Sequence, residues 1–291
     1  MHRRLKVTQR THHPAVQLLI RRAGKAYIAG PAVEHARALC ERLGAGGIAS
    51  TVCYWNACLD SPRTVSDAYL RALDVIRDLP CDCYLSVKAP AFGFDFGLLK
   101  QILDAAARTN ITVHFDSMAP ETVDRTFALI DEARRAYPNI GCTLPARWRR
   151  SLRDVDRVID LGLRVRVVKG QWSGLDGNEI DPREGFVSVI DRLAANGARH
   201  VSVATHHTAV AEDTLRRLKT AGTSCELELL HGLPQQQMLK IAREHNVPAR
   251  IYIPYGHAAL PYRLKEAGRD PRVLAWFVRD LIRHPLILAE R

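Results

Sequence analysis

Residues 152–169, LRDVDRVIDLGLRVRVVK, contain the two patterns that decide the fold. The segment Leu152–Leu161 is amphipathic, with apolar residues at helical spacing, and the β-branched run Leu163–Lys169 follows it at once. Short strands that alternate with amphipathic helices are typical of α/β proteins with a parallel sheet. This stretch therefore predicts one helix–strand unit of such a protein.

The same alternation recurs along the chain and predicts a (β/α)8 barrel. The other predicted strands are Ile48–Tyr54, Cys83–Lys88, Ile111–Asp116, Gly141–Ala146, His200–Thr205, Cys225–Leu230 and Arg250–Pro254. The other predicted helices include Val65–Leu79, Glu121–Tyr137, Gly185–Ala195, Val210–Thr220 and Gln235–His245. A doubly wound sheet is the alternative, but it would place a glycine-rich phosphate loop after the first strand, where this chain has Cys53-Tyr54-Trp55-Asn56.

Composition favours a soluble, cytoplasmic protein with one main domain. Of the 291 residues, 47% are hydrophobic and 25% are charged, which is ordinary for a globular chain. No apolar run reaches the roughly 18 residues that a membrane span requires. The seven cysteines lack paired zinc-ligand spacing, so we expect reduced and mostly buried thiols. We expect a barrel over residues 27–291, ending in a helix over Pro271–Arg283, after a basic arm and helix over residues 1–26.

The basic charge is concentrated at the N-terminus. The chain has 42 Lys and Arg residues against 31 Asp and Glu residues, and seven of the basic residues precede the first acidic residue, Glu34. Nucleic-acid binding is not favoured, because no aromatic–basic pattern or recognised module accompanies this arm. Two alternatives remain for it: an organellar transit peptide, or a solvated lead-in followed by a packing helix from Pro14 to Lys25.

A (β/α)8 barrel carries its chemistry at the C-terminal ends of its strands, where this chain has many polar residues. Arg166 lies within a predicted strand, and an arginine that faces a barrel interior needs a partner or a ligand. Lys88 and Asp116 end two neighbouring strands and are predicted to form an ion pair. The alternative is that this pair has a purely structural role.

The segment Arg166-Val-Val-Lys-Gly-Gln-Trp172 resembles the R-L-V-K-G-A-Y/W strand of the flavin-dependent proline dehydrogenase family. Five further segments are similar to that family's motifs and come in the same order. They are Ser86-Val87-Lys88, Phe115-Asp116, Ala204-Thr205-His206-His207, Glu226 to Gly232, and Arg250-Ile-Tyr-Ile-Pro-Tyr-Gly256 with Tyr262 ten residues after Tyr252.

The resemblance implies a distorted (β/α)8 barrel with non-covalently bound FAD that accepts a hydride from an amine carbon at flavin N5. It places Arg166 beside N5, and it assigns the cofactor to Arg166, Lys169, Gly170, Trp172, Thr205, His206 and His207, with Glu226 close by. The catalytic and substrate-binding positions that it implies are Lys88, Asp116, Arg166, Tyr252, Tyr262, Lys265 and Glu266.

Several positions depart from the family's pattern. Lys265 and Glu266 stand where two adjacent arginines would grip the substrate carboxylate, and a lysine beside a glutamate cannot replace that clamp. Pro145, His207 and Glu228 replace a glutamine, an asparagine and a second glutamine. We therefore expect the substrate to be an amine other than free L-proline. The electron acceptor would be a quinone or another carrier, and the basic arm would suit peripheral contact with an anionic membrane.

Two other functional classes remain alternatives. The first is a metal-dependent hydrolase, because His206, His207, His114, Asp116, His231 and Lys169 all lie at predicted strand ends. Adjacent His206 and His207 point to opposite sides of a strand, however, so they are poorly placed to share one ion. The second is a barrel that binds a ligand or a partner protein without redox chemistry. Trp172, Tyr252 and Tyr262 would then pack at the rim instead of covering a cofactor.

Overall fold

The computed structural model describes residues 27–257. Its strands are β1 Ala49–Trp55, β2 Cys83–Val87, β3 Val113–Phe115, β4 Ile140–Pro145, β5 Arg164–Val168, β6 His200–Ala204, β7 Cys225–Leu230 and β8 Ala249–Gly256. Its helices are α1 Val33–Ala45, α2 Pro62–Ile76, α3 Phe96–Thr109, α4 Val123–Ala136, α5 Arg150–Asp160, α6 Pro182–Ala195, α7 Thr208–Thr220 and α8 Gln236–Glu244. Short 3₁₀ helices follow β2, β3 and β5 at Ala89–Phe92, Pro120–Thr122 and Leu175–Gly177.

The strands form a closed parallel barrel in chain order, which confirms the predicted (β/α)8 fold. Strand β1 closes it against β8 through a parallel ladder from Ala49 opposite Arg250 to Trp55 opposite Gly256. Each of the eight predicted strands coincides with an observed one to within about two residues at either end. Because every strand pairs with its successor in the sequence, the doubly wound alternative is excluded.

The two faces of β5 carry different kinds of side chain, apolar on the outer face and charged on the inner face. Val165 and Val167 are fully buried in the apolar core that the helices share with the outer face of the barrel. Arg164 and Arg166, on the alternate face, reach the side chains of β7 across the barrel interior. Barrel interiors are usually filled by branched aliphatic side chains, whereas this one contains layers of charge.

The layer nearer the N-terminal strand ends is a set of four residues, Glu226, Arg250, Tyr84 and Ser202, which we call the lower charged cluster. Arg250 is completely buried, and its Nε donates to Glu226 Oε1 at 3.0 Å. The hydroxyl groups of Tyr84 and Ser202 donate to the same oxygen. The Arg250 guanidinium also lies 3.9 Å from the centroid of the Tyr84 ring. These contacts compensate for the removal of both charges from water.

Some of the helices that follow the C-terminal strand ends, α3 and α6 among them, begin at polar capping residues. Asp95 accepts from the backbone N–H of Leu98, and Asp181 accepts from the backbone N–H groups of Arg183 and Glu184. These caps satisfy N–H groups that the first helical turn leaves without partners. They also fix where these two loops at the mouth of the barrel end.

Some expectations concern residues outside the described range. These are the basic arm and helix of residues 1–26 and the C-terminal helix over Pro271–Arg283. Within residues 27–257, no helix combines the length and apolar character that a bilayer crossing requires.

We predict that Glu226→Ala destabilises the barrel, because it leaves Arg250 buried with one fewer carboxylate. The expected loss is about 3 kcal/mol in the free energy of unfolding, or about 6 °C in Tm for a chain of this size. Thermal unfolding followed by circular dichroism measures it. Glu212→Ala, on the exposed face of α7, is the control and should change stability by less than about 0.5 kcal/mol. Equal melting temperatures for the two variants would contradict the role of the lower charged cluster.

Candidate active site

The centre of the candidate site is Arg166, whose side chain is buried among two carboxylates. Its Nε donates to Glu228 Oε2 at 2.7 Å, and its Nη2 donates to Glu228 Oε1 at 2.8 Å. Its Nη1 donates to Asp116 Oδ1 at 2.8 Å. The guanidinium also lies 5.1 Å from the ring centroid of Tyr252. We call Asp116, Arg166, Glu228 and Tyr252 the upper charged cluster, because they lie on the C-terminal side of the lower one.

Asp116 collects hydrogen bonds from several strands. The Tyr252 hydroxyl donates to its Oδ2 at 2.6 Å, and the Ser86 hydroxyl donates to its Oδ1 at 2.7 Å. The Cys53 thiol contacts the same carboxylate at 3.6 Å. Burial, and then the charge of Asp116, raise the pKa of Tyr252 well above its ordinary value, so the phenol remains a donor at neutral pH. Burial raises the pKa of Cys53 to about 12, which keeps this thiol protonated and poorly nucleophilic.

The predicted ion pair between Lys88 and Asp116 is wrong. The described hydrogen bonds and ion pairs of Asp116 are with Arg166, Ser86, Tyr252 and Cys53, as given above, and do not include Lys88. The Lys88 ammonium instead donates to the backbone carbonyl of Tyr54 at 3.0 Å and lies 5.7 Å from the Trp55 ring centroid. Lys88 is therefore a half-buried cation at the end of β2.

Lys169, Gly170 and Trp172 directly follow β5, as a rim site requires. Gly170 has φ +95°, and a Cβ there would lie 2.9 Å from the Cβ of Pro145 and 3.1 Å from Cγ of Arg147. Only glycine suits this conformation and this close approach to the end of β4. The Trp172 carbonyl accepts from Trp148 Nε1 at 2.9 Å, while the Lys169 side chain is exposed. This segment thus holds a cation and an indole at the mouth of the barrel.

Thr205, His206 and His207 follow β6, and each takes part in local hydrogen bonds. His206 Nε2 accepts from the backbone N–H of Leu230 at 2.9 Å, and its Nδ1 lies 3.3 Å from the Pro234 carbonyl. His207 Nδ1 caps α7 by accepting from the backbone N–H of Val210, and Thr205 Oγ1 accepts from the N–H of His207. Both nitrogens of His206 are therefore occupied, which leaves neither available as a metal ligand.

The hydrolase alternative has no metal centre in the part of the chain from Tyr27 to His257. No three His, Cys, Asp or Glu side chains within that range converge into a group that could hold an ion. The histidines at the ends of β6 act in capping and in fixing a loop, as described above. The alternative is not favoured.

Glu226, which the resemblance places close to the cofactor, does not belong to the upper charged cluster. It is the second residue of β7 and belongs to the lower charged cluster, where it is 2% exposed and bound to Arg250. Glu228 occupies the next position on the same face, nearer the mouth. The predicted positions Tyr262, Lys265 and Glu266 lie outside the described residues.

Sequence reasoning left Glu228 out of the site, although the structure makes it the principal partner of Arg166. Two features of the sequence point to it. The alternation of β7 places Glu228 on the face that Glu226 occupies, and an interior arginine needs an anion. Thr51, which donates to Glu228, gave no comparable indication, because threonine occurs in many strands.

Comparison with known proteins places this geometry in context. No family model matches the sequence. Proline dehydrogenase 1 of Bacillus subtilis subsp. natto is 22% identical over 279 residues, which span 90% of this chain and 92% of the relative. The proline dehydrogenase of Deinococcus radiodurans is 23% identical over 282 residues, spanning 88% and 89% of the two chains. The chain is a divergent relative of the proline dehydrogenases. The resemblance inferred from its motifs is thereby confirmed.

Solved structures show the same barrel. Proline utilization A (PutA) from Bdellovibrio bacteriovorus, inactivated by N-propargylglycine, matches with a TM-score of 0.71 and 15% identity over 83% of this chain. PutA from Corynebacterium freiburgense matches with a TM-score of 0.71 and 15% identity over 95% of it. The chain spans 32% and 34% of these two longer proteins, about a third of each. At this identity the likeness establishes the fold, and the proline dehydrogenase relationship rests on the sequence alignments.

Beneath the site, His114 is a buried neutral imidazole. Its Nε2 lies 3.0 Å from Thr143 Oγ1, its ring stacks on Tyr84 at a centroid distance of 5.9 Å, and its Nδ1 has no hydrogen-bond partner among residues 27–257. Burial, and then the charges of Arg166 and Arg164, hold the pKa of His114 well below 6.5. As the pH falls, His114 therefore stays neutral in the folded protein, whereas the same side chain becomes protonated in the unfolded chain.

We predict that stability falls as the pH drops below about 6.5, because the unfolded state then binds a proton that folded His114 does not. The free energy of unfolding, from urea titrations between pH 7.5 and about 5.5, measures the slope. His114→Asn should flatten the slope, and His231, whose pKa burial also lowers, should leave a residual one. A slope that is equal in the variant and the wild type would show that His114 is not the group responsible.

Proposed function

We propose that this protein is a flavin-dependent oxidoreductase that holds FAD at the C-terminal mouth of its barrel and oxidises a C–N bond of an amine. The upper charged cluster carries the proposal. It lies on the mouth side of the interior, in a chain that aligns over nearly its whole length with named proline dehydrogenases. Its arginine, aspartate and tyrosine are the residues that the family resemblance assigns to the reacting centre.

The residues at the ends of β4, β5 and β6 suit the diphosphate of a dinucleotide. Arg147 Nε is buried and donates to no described acceptor, while its Nη2 donates to Glu179 at 3.2 Å. The exposed cation of Lys169 lies on the adjacent strand end. The N-terminus of α7, a helix of 13 residues, begins at the same rim after His207. Cations and helix N-termini attract phosphate, so the donor set fits the group.

In this proposal Lys169, Gly170 and Trp172 contact the cofactor from β5, and Thr205, His206 and His207 line its adenosine and diphosphate side from β6. When bound, FAD supplies the acceptor for a hydride that leaves the carbon next to the substrate nitrogen while the nitrogen lone pair forms the C=N bond. Arg166 provides the buried cation of the reacting centre.

Asp116 is the carboxylate of the cluster that remains open to the mouth. Its side chain is 13% exposed, against 2% for Glu228. The hydrogen bonds from Tyr252 and Ser86 fix the orientation of this carboxylate. A partly exposed anion of fixed orientation suits the nitrogen of an amine substrate, and it excludes a substrate carboxylate from the same position.

The proposed substrate is an amine without a free carboxylate beside the reacting carbon. This part of the proposal depends on Lys265 and Glu266, where the family resemblance expects two arginines. One ammonium next to a carboxylate offers no bidentate contact to a second carboxylate and repels it. An esterified or carrier-bound proline, or a simple cyclic amine, satisfies the chemistry.

The electron acceptor in this proposal is a quinone or another diffusible carrier. The basic residues of the N-terminal arm, which include Arg3, Arg4 and Lys6, suit peripheral contact of a cytoplasmic protein with an anionic membrane surface.

We predict that the purified protein takes up FAD and keeps the visible flavin absorption bands after desalting. Lys169→Met should raise the Kd for FAD about tenfold, equivalent to about 1.4 kcal/mol, because it removes a cation next to the diphosphate. Fluorescence titration of the apoprotein measures the Kd. Lys219→Met, on the last turn of α7 and therefore at the opposite end of that helix, is the matched control and should bind as the wild type does. A protein that remains colourless after incubation with FAD would refute the oxidoreductase proposal in favour of a non-redox barrel.

We predict that FAD-loaded protein oxidises pyrrolidine or L-proline methyl ester with a kcat/KM at least about tenfold higher than that for L-proline, because Glu266 disfavours a free carboxylate. Reduction of an artificial dye acceptor measures the rates. The double variant Lys265→Arg/Glu266→Arg should reverse the preference. Ordinary saturation with L-proline, and no gain with the ester, would overturn the substrate assignment and leave the flavin assignment standing.

A further inference from the structure

Glu228 binds Arg166 in a way that uses both of its oxygens. The two N–H···O contacts, at 2.7 Å from Nε and 2.8 Å from Nη2, form the parallel bidentate arrangement that makes arginine–carboxylate pairs strong. The Thr51 hydroxyl donates to Glu228 Oε1 at 3.0 Å and fixes the carboxylate from the opposite side of the barrel. Glu228 is 2% exposed, so water screens this interaction little.

The three charged side chains of the upper charged cluster, Arg166, Asp116 and Glu228, together carry a net negative charge. Two carboxylates, Glu228 and Asp116, lie within hydrogen-bond distance of this one guanidinium. Lys88 is the neighbouring cation of the mouth, but its ammonium is directed to the Tyr54 carbonyl and not to the carboxylates. With Asp116 alone, one carboxylate would balance the positive charge of the guanidinium. Glu228 supplies the additional negative charge.

The property of Glu228 that distinguishes it from an uncharged residue of the same size is its negative charge, because the shape of the side chain alone would not require a glutamate. Glutamine has nearly the same size and would still offer one acceptor oxygen to Arg166. A negative charge buried close to a flavin disfavours the arrival of further electrons, whereas an uncompensated arginine favours it.

We infer that Glu228 is a positioning residue that offsets the charge of Arg166 and thereby lowers the reduction potential of the flavin bound at this site. This inference rests on the proposed function, since it presupposes FAD at the mouth of the barrel. It extends the proposal by assigning the electron affinity of the site to one residue on β7. The site is consequently a weak oxidant that passes electrons readily to its acceptor.

The experiment compares the two-electron reduction potential of FAD-loaded wild type and Glu228→Gln by equilibration with redox dyes. The equilibrium constant for reduction should rise at least about tenfold in the variant, which is a positive shift of about 30 mV for a two-electron couple. Sulfite is the second probe. Its lone pair adds to flavin N5 and places a negative charge on the ring system, so its Kd should fall at least about tenfold in Glu228→Gln.

Thr51→Val is the matched control, because it removes a hydrogen bond from Glu228 without changing any charge. Its potential should stay within about threefold of the wild type in the equilibrium constant, or about 15 mV. If Thr51→Val shifts the potential as far as Glu228→Gln does, the effect is structural and the inference is wrong.

The double variant Arg166→Gln/Glu228→Gln tests the inference independently of whether Glu228→Gln folds. It removes a buried cation and a buried anion together, which is in general less destabilising than the loss of one partner of a buried pair. If the two charges offset each other, its potential stays close to the wild-type value. A fall of more than about 30 mV would mean that Arg166 acts without compensation, and that result would overturn the inference.

Failure of the inference and failure of the proposed function give different results. Wild-type protein that takes up no FAD refutes both. FAD-loaded Glu228→Gln whose potential and sulfite affinity equal those of the wild type refutes only the role of Glu228.

Discussion

A guanidinium group buried inside a parallel barrel determines much of the structure around it. Removing Arg166 from water costs several kcal/mol unless carboxylates and hydroxyl groups compensate, and the barrel supplies them from strands on every side. Asp116 comes from the end of β3 and Glu228 from β7, while hydroxyl groups of β1, β2 and β8 bind those carboxylates in turn. The charge of one residue thus ties together six strands that the backbone ladder joins only to their neighbours.

The two charged clusters divide the interior into parts with different exposure. In the lower charged cluster, Arg250 and Glu226 are sealed from solvent and their described contacts are with the protein itself. In the upper charged cluster, Asp116 keeps part of its surface open towards the mouth. Buried charge that is closed off serves the fold, whereas buried charge with an open edge can bind a ligand. The same chemistry therefore has a structural role near the N-terminal strand ends, and near the C-terminal ones it has the binding role that we propose.

Compared with the pattern of the proline dehydrogenases, this chain keeps the barrel and changes charged and polar residues of the candidate site. The rim segments after β5 and β6 keep most of the residue types that the resemblance assigns to the cofactor, with His207 in place of an asparagine. The changes are found around the reacting centre, where Glu228 adds an anion and Pro145 removes a side-chain donor. Such changes leave the packing of the barrel intact, because the apolar outer faces of the strands carry the fold. They alter the charge of the site without altering its architecture.

The sequence by itself determined the order and number of the strands, the closed barrel and the rim at which the functional residues gather, because hydrophobic periodicity and strand alternation are local properties. It also indicated that Arg166 faces the interior and requires a partner. The choice of that partner was decided only by the tertiary structure. Lys88 and Asp116 are on neighbouring strands, so their pairing looked natural, yet Arg166 reaches Asp116 and Glu228 from across the barrel. Which side chains meet inside a barrel depends on the shear between strands and on side-chain length, and neither is written in the spacing of residues along one strand.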